Sequence, residues 1–240
     1  MKKIILSALA AFFMVSSAYA DTVRMGTEGA YPPYNFINDN GEVDGFEKDV
    51  GDMLCIRANL DCVWVINEWD SIIPNLVSGN YDTIIAGMSI TAERDEVIDF
   101  TQDYFPPSPS VYMGLSGSDV DLEGGVIAAQ TATIQAGYVA ESGATLVEFA
   151  TAEETISAVQ NGEADAVLAD GDYLASIIAE SGGEFANVGE VSIGGGVGMG
   201  IRESDGDLKA TMNKAISSMK EDGSLNALIK KWFGNDANTF

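Results

Sequence analysis

Histidine is absent from the 240-residue sequence. Its absence excludes mechanisms that depend on an imidazole, namely the Ser-His-Asp triad, the Cys-His pair and imidazole-ligated zinc. Basic residues are also scarce, because 12 lysines and arginines stand against 37 aspartates and glutamates, which gives a formal net charge of −25. An acidic surface of this kind repels phosphate backbones, so we expect no nucleic-acid partner.

Long apolar runs are missing beyond the N-terminus, and the first twenty residues have the pattern of a secretion signal. Lys2 and Lys3 precede an apolar stretch of about twelve residues, 4–15, which is shorter than a membrane-spanning helix. Ala18-Tyr19-Ala20 fits the small-residue pattern of a cleavage site, and no cysteine follows it to carry a lipid anchor. We therefore expect cleavage after Ala20 and a mature protein that is periplasmic.

Only two cysteines are present, Cys55 and Cys62, with six residues between them. In an oxidising compartment, two cysteines this close in sequence favour a disulfide over two free thiols. A zinc site would need more ligands, and there is no histidine to supply them. We therefore expect a structural Cys55–Cys62 disulfide, no metal site and no cofactor.

Strand-like and helix-like segments alternate along the chain, as expected for an α/β protein. Two such series follow one another, which indicates two lobes. The predicted strands cover residues 22–26, 62–66, 81–86, 111–115, 126–129, 146–149, 164–169 and 197–202, and the predicted helices cover residues 46–58, 69–78, 134–142, 151–160, 173–179, 208–220 and 224–233.

Polar side chains follow the predicted strand 81–86, at a place where α/β folds bind ligands. Ser89 and Thr91 are residue types that begin helices, and the free N–H groups of such a turn favour an anion. Arg94 could add two parallel hydrogen bonds to a carboxylate. The alternative is an ordinary surface arginine balanced by neighbouring acids.

Two later strand ends carry similar signals. Thr133 opens the predicted helix 134–142 and could offer an N–H and a hydroxyl to the same anion. Asp170 follows the strand 164–169 and could pair with an ammonium group. It could equally begin the next helix, a role that Asp172 could also fill.

Two aromatic residues lie on candidate loops, Tyr31 after the first strand and Trp69 before a helix. Together they could clamp a planar or cationic group, although single loop aromatics more often serve packing.

Taken together, these segments resemble the periplasmic amino-acid-binding proteins of polar amino-acid ABC importers, particularly the lysine/arginine/ornithine- and histidine-binding type. The resemblance covers the whole mature chain. It is carried by residues 26–36, 45–50, the cysteine pair, and residues 69–76, 89–94, 99–101, 130–135, 165–170 and 198–202.

The resemblance implies a two-lobe periplasmic binding protein fold of type II, with a ligand cleft between lobes joined by two hinge segments. Lobe 1 would comprise residues 21–110 and 196–240, and lobe 2 residues 111–195. The implied function is an extracytoplasmic solute-binding subunit, a monomer that binds a free L-amino acid and delivers it to a membrane permease of an ABC importer.

The resemblance also assigns the site. The α-carboxylate falls to Arg94, Thr133 and the backbone of Ser89, and the α-ammonium to Asp170, the Ser89 hydroxyl and a carbonyl near Gly87. The remaining implied contacts are with the ligand's side chain, through Tyr31, Trp69 and Glu28. The full expected set is Glu28, Tyr31, Trp69, Gly87, Met88, Ser89, Arg94, Thr133 and Asp170.

Three departures from the family pattern concern the side-chain end of the pocket. A common Ser-Ser pair is Ala86-Gly87 here, a common glycine is Ala132, and a following threonine is Ile134.

We expect a basic ligand, namely arginine, lysine, ornithine or histidine, because Glu28 lies three residues before Tyr31 on one loop and Trp69 favours cations. Two alternatives remain open. Glu28 could point to solvent, and the aromatic pair would then suit glutamine or another polar amino acid. Some secreted dehydratases that act on cyclohexadienyl acids share this fold and carry an acid in the cleft. The presence of Arg94 and Asp170 favours a binding protein over such an enzyme.

Overall fold

The computed structural model describes residues 22–240. The expected signal segment and its cleavage site therefore lie outside the described residues. Within residues 22–240, no helix is long and apolar enough to cross a membrane.

Strands and helices alternate through most of the described chain. The strands are β1 (Thr22–Thr27), β2 (Ala30–Tyr31), β3 (Asn35–Ile37), β4 (Val43–Asp44), β5 (Asp61–Ile66), β6 (Thr83–Ile84), β7 (Asp99–Phe105), β8 (Ser110–Leu115), β9 (Val126–Gln130), β10 (Thr145–Phe149), β11 (Ala166–Asp170), β12 (Phe185–Val191) and β13 (Val197–Ile201). The helices are α1 (Phe46–Ala58), α2 (Ile72–Val77), α3 (Ala92–Asp95), α4 (Ile134–Glu141), α5 (Ala152–Gln160), α6 (Gly171–Glu180), α7 (Gly206–Glu221) and α8 (Ser224–Phe233), and a 3₁₀ turn, Trp69–Ser71, precedes α2.

Ten of the thirteen strands form two five-stranded sheets, which are the centres of lobe 1 and lobe 2, and β2, β3 and β4 form a small antiparallel sheet. The first has the order β5-β1-β6-β13-β7, with β1 parallel to both neighbours and β13 antiparallel to both of its own. The second has the order β10-β9-β11-β8-β12, with β8 antiparallel to β11 and β12. This mixed arrangement confirms the predicted α/β class with two lobes.

Sequence-predicted helix starts are found where threonine can accept a backbone hydrogen bond. Thr151 and Glu154 form a reciprocal capping box at the start of α5, where the predicted helix 151–160 begins. Thr91 and Thr133 cap α3 and α4 through their side chains. These caps satisfy N–H groups that would otherwise lack partners, and they fix where each loop turns into a helix.

The predicted strand 81–86 is shorter in the structure, where β6 has only two residues. Backbone hydrogen bonds to β1 extend the pairing through Asp82 N and Ile85 N, each 2.8 Å from its acceptor. The Asp82 carboxylate accepts hydrogen bonds from Arg24 and Arg202 beside the sheet. The segment is therefore a short core strand whose pairing with β1 continues for one residue on each side.

Aromatic rings pack together where the chain leaves lobe 1. Phe105 ends β7, and its ring centre lies 4.8 Å from that of Phe233 and 5.3 Å from that of Tyr34. Phe46, from the start of α1, packs on the same group. This cluster holds α1, β7 and α8 together directly before residues 106–109, which cross to lobe 2.

The predicted disulfide is confirmed, because Cys55 in α1 and Cys62 in β5 are bonded. It ties the last turn of α1 to the edge strand of the first sheet.

Reduction of the disulfide should lower the free energy of unfolding by about 2–3 kcal/mol, because the bond restricts the unfolded chain. Urea unfolding of the protein with and without reductant measures this change, and thiol titration after unfolding checks the redox state. An unchanged urea midpoint in the fully reduced protein would contradict a stabilising role.

Candidate functional site

A cavity lies between the two sheets, at the ends of β1, β6, β9 and β11. Eight of the nine residues expected at the site line it: Glu28, Tyr31, Trp69, Gly87, Ser89, Arg94, Thr133 and Asp170. Residues from both lobes therefore face one space, as expected for ligands bound at the carboxyl ends of strands.

Arg94 occupies one end of the cavity. Its Nη1 donates to the carbonyl of Ser89 at 2.9 Å, and its guanidinium lies 5.4 Å from the ring centre of Trp69. Burial lowers the pKa of Arg94 to about 10, whereas the charges of Asp170 and Glu93 act in the opposite direction. Arg94 is therefore a partly buried cation that lies over an aromatic face.

The loop before α4 closes the same end from lobe 2. Its Ala132 carbonyl accepts from Arg94 Nη2 at 3.4 Å and from Trp69 Nε1 at 3.3 Å. Ala132 has a φ of 56°. This left-handed conformation disfavours residues with a Cβ, so it would be adopted more easily by glycine than by the alanine found here.

Thr133 directs its hydroxyl into its own loop. The hydroxyl donates to the Gln130 carbonyl at 2.7 Å and accepts from Ala136 N at 3.1 Å. The side chain thus serves the start of α4, and any contribution to an anion would come from its backbone.

Asp170 faces Arg94's end of the cavity from the opposite lobe. Its carboxylate accepts from the Tyr31 hydroxyl at 2.9 Å and from Gln135 Nε2 at 3.0 Å. Burial raises the pKa of Asp170, and the Tyr31 hydrogen bond and the Arg94 charge oppose that rise. Asp170 is the N-cap residue of α6, but its side chain makes no capping hydrogen bond. The capping alternative therefore does not explain this carboxylate.

Tyr31 and Trp69 both reach the cavity, but Tyr31 has an additional aromatic partner. Its ring stacks on that of Tyr173 of lobe 2, with ring centres 4.0 Å apart and planes 14° from parallel. One face of Tyr31 is therefore covered by protein. Tyr173 lies in the first turn of α6, and the sequence predicted only that a helix begins there.

Glu28 does not point to solvent, since only 9% of its surface is exposed. Its Oε1 accepts from Gln130 Nε2, across the lobes, at 2.6 Å. Burial raises the pKa of Glu28 to about 7; the Gln130 hydrogen bond acts against this, and the charge of Glu47 adds to it. A cation next to this carboxylate would relieve the cost of burying its charge.

Met88 is the one expected site residue that the structure places elsewhere. It is fully buried and packs in the same apolar cluster as Trp69 and Ile84. Its carbonyl accepts from Gly198 N at 3.2 Å, so its backbone helps to attach the loop to β13.

Sequence reasoning missed the functional position of two glutamines. Gln130 ends β9 and bonds Glu28, and Gln135 in the first turn of α4 bonds Asp170. The signal that could have identified them was their position near Thr133, in the segment that joins the end of β9 to the first turn of α4.

Comparison with known proteins places this geometry in a family. The model of the bacterial extracellular solute-binding proteins, family 3, matches residues 23–235. The chain is 32% identical to the L-arginine-binding protein of Pseudomonas aeruginosa, with 98% of each chain covered. It is 31% identical to the lysine/arginine/ornithine-binding periplasmic protein of Escherichia coli, with 97% of each covered.

A solved structure is similar over nearly the whole described region. It is a periplasmic His/Glu/Gln/Arg/opine family-binding protein from Silicibacter pomeroyi in complex with lysine, 72% identical to this chain. The TM-score is 0.89, and the match covers 91% of this chain and 100% of that one.

Proposed function

The chain belongs to the bacterial extracellular solute-binding proteins of family 3, and we propose that it is the amino-acid-binding subunit of an ABC importer. It takes up a free L-amino acid between its lobes and presents it to a membrane permease. The proposed ligands are basic: lysine, arginine, ornithine or histidine. We further propose that it works as a periplasmic monomer after cleavage at Ala20.

One observation carries the proposal: Arg94 of lobe 1 and Asp170 of lobe 2 face the same cavity. An amino-acid zwitterion has one carboxylate and one ammonium group, which would pair with these two side chains. An unpaired buried charge costs several kcal/mol, so a ligand that pairs both stabilises the arrangement in which the lobes meet. A permease could then distinguish the loaded protein from the empty one.

Glu28 supports a cationic ligand side chain. It is a third ionisable group that lines the cavity, and its hydrogen-bonding partner there is the neutral amide of Gln130. The complex of the Silicibacter pomeroyi relative with lysine, and the names of the two curated relatives, agree with this chemistry.

We propose that the lobes comprise residues 21–110 with 196–240, and residues 111–195. The two crossings between the sheets, from β7 to β8 and from β12 to β13, support hinges near residues 110 and 195.

Thermal-shift screening of the twenty amino acids with ornithine and citrulline tests the proposal, followed by titration calorimetry of every hit. A ligand present at 100 times its Kd should stabilise the protein by about 2.7 kcal/mol. Tighter binding of glutamine or glutamate than of all basic amino acids would refute the basic-ligand assignment. Failure of all amino acids to bind would refute the function.

An enzymatic role has one supporting observation, the buried Glu28 with a pKa of about 7, which would suit a general acid. We propose that no turnover occurs, because Arg94 and Asp170 complete an amino-acid site. Incubation with prephenate and arogenate, followed by product analysis, separates the two functions.

Glu28→Gln should weaken L-arginine binding by about tenfold or more while leaving L-glutamine nearly unaffected, because the amide removes the charge opposite the ligand's cation.

In the unchanged protein, a bound cation favours ionised Glu28, so L-arginine affinity should rise as the pH increases from about 5.5 to 8 through the pKa of Glu28. Calorimetry across this range should show a smaller rise for the variant. Glu153→Gln, at an exposed acid of α5, is the matched control. Equal pH dependence in Glu28→Gln would assign the effect to another group.

A further inference from the structure

We propose that Glu47 is a positioning residue for the ligand cavity, whose carboxylate joins the loop of Glu28 and Tyr31 to the loop of Ser89 and Arg94. Glu47 lies behind the cavity rather than in its lining, in the first turn of α1. The inference rests on the proposed function, because it concerns the same site.

The Glu47 side chain is completely buried and accepts three hydrogen bonds. Asn35 Nδ2 donates to Oε2 at 2.7 Å, and Gly87 N donates to Oε1 at 2.6 Å. The Tyr104 hydroxyl also donates to Oε1. A buried carboxylate is costly unless its lone pairs are satisfied, so this arrangement favours one defined geometry.

Two of the three donors belong to segments that carry cavity residues. Asn35 Oδ1 accepts from Gly29 N at 2.7 Å, and Gly29 directly follows Glu28. A continuous path therefore runs from the Gly29 N–H through Asn35 to Glu47, and it fixes the loop of Glu28 and Tyr31 from behind.

On the other side, Glu47 holds the peptide of Gly87. This glycine has a φ of 62°, and a Cβ there would lie 3.6 Å from the Tyr31 ring. Two residues later, Ser89 pairs with Val197 of β13, and its carbonyl accepts from Arg94. The loop is thus anchored at one end by Glu47 and at the other by β13.

The functional consequence is preorganisation. Groups that already hold the binding geometry lose less freedom when the ligand arrives, so affinity is higher for the same contacts. Breaking the Glu47 link changes no residue that lines the cavity, but it should allow the two loops to move independently.

Glu47→Gln breaks the link without changing size. The new amide NH₂ would face the NH₂ of Asn35, so two donors would meet. A flipped Asn35 amide would restore that bond, but it would present its NH₂ to the Gly29 N–H. Either arrangement leaves a donor without an acceptor and disconnects the two loops.

A second substitution should restore the path. In the double variant Glu47→Gln/Asn35→Asp, the glutamine amide donates to the new carboxylate, whose other oxygen accepts from Gly29 N. The net charge equals that of the unchanged protein. Rescue by this exchange would show pairwise coupling, which general destabilisation does not produce.

The experiment is calorimetric titration of each variant with L-arginine and L-lysine, together with thermal unfolding in the absence of ligand. We expect Kd to rise about tenfold or more for Glu47→Gln and to return to within about threefold in the double variant. Tyr104→Phe removes the donor that belongs to neither loop. It should lower the unfolding temperature and leave Kd within about threefold of the unchanged protein.

Unchanged affinity in Glu47→Gln, absence of rescue, or an equal affinity loss in Tyr104→Phe would each overturn the inference. Should Glu47→Gln not fold, Asn35→Ala takes its place, since it cuts the path to Gly29 and keeps the Gly87 bond. It should also weaken both ligands, and normal affinity would refute the positioning role. The unchanged protein is titrated first, so absence of any amino-acid binding there refutes the proposed function instead.

Discussion

Replacing Arg94 with alanine should remove measurable binding of every amino acid, a loss of about 3–5 kcal/mol in binding free energy. The variant would leave the ligand carboxylate without its cation in a desolvated cavity. It would also remove the group that stacks on Trp69 and bonds the Ser89 carbonyl. Titration calorimetry with L-arginine, L-lysine and L-glutamine measures the effect, which corresponds to at least about a hundredfold in Kd.

Arg57→Ala is the matched control. Arg57 pairs with Asp222 and bonds Ser224 on the far side of α1, away from the cavity. The Arg57→Ala variant should bind the same ligands with normal affinity, even if its midpoint of unfolding is lower. Near-normal binding by a folded Arg94→Ala variant would mean that the carboxylate site lies elsewhere.

Asp170→Asn should weaken all amino acids by about 3 kcal/mol or more, because the ligand ammonium would lose its only proposed charged partner. The amide has almost the same shape, and its oxygen can still accept one hydrogen bond from Tyr31 or Gln135. The loss therefore reports charge pairing rather than collapse of the cavity. Equilibrium dialysis with labelled lysine extends the measurement into the weak-binding range.

Asp172→Asn provides the comparison, since it removes an identical charge two residues away in the same turn of α6. It should change Kd by less than about threefold. A similar loss in both variants would indicate that the general negative field of the cavity, and not a specific pair, attracts the ligand.

The elements that sequence predicted well are those defined by local signals. α8 has the predicted bounds, and α5 begins within one residue of its predicted start, at the capping box of Thr151 and Glu154. β7 was missed because Asp99, Gln102 and Asp103 interrupt its apolar pattern. The structure accounts for these polar residues by tertiary contacts, such as Gln102 N donating to Asn213 of α7 at 2.7 Å. The small sheet of β2, β3 and β4 was also missed, because strands of two or three residues leave almost no periodicity.

A similar distinction applies to the candidate site. Residues at strand ends or on the turns that follow them, such as Asp170 and Arg94, can be proposed from their position in a βα series. Glu47 and Tyr173 cannot, because each lies in a helix where its residue type is unremarkable. Their importance depends on partners distant in sequence: Glu47 contacts Gly87, and Tyr173 stacks on Tyr31.

The position of β13 in the first sheet also constrains the order in which the lobes are completed. β13, residues Val197–Ile201, lies between β6 and β7, and β7 has no other neighbour in that sheet. Every strand of the second sheet lies between Ser110 and Val191. As the chain emerges N-terminus first, lobe 2 can therefore assemble before residues 197–240 are available, whereas lobe 1 remains in two unjoined parts. A chain truncated before Val197 should therefore contain a folded lobe 2 and an incomplete lobe 1 that is sensitive to proteases.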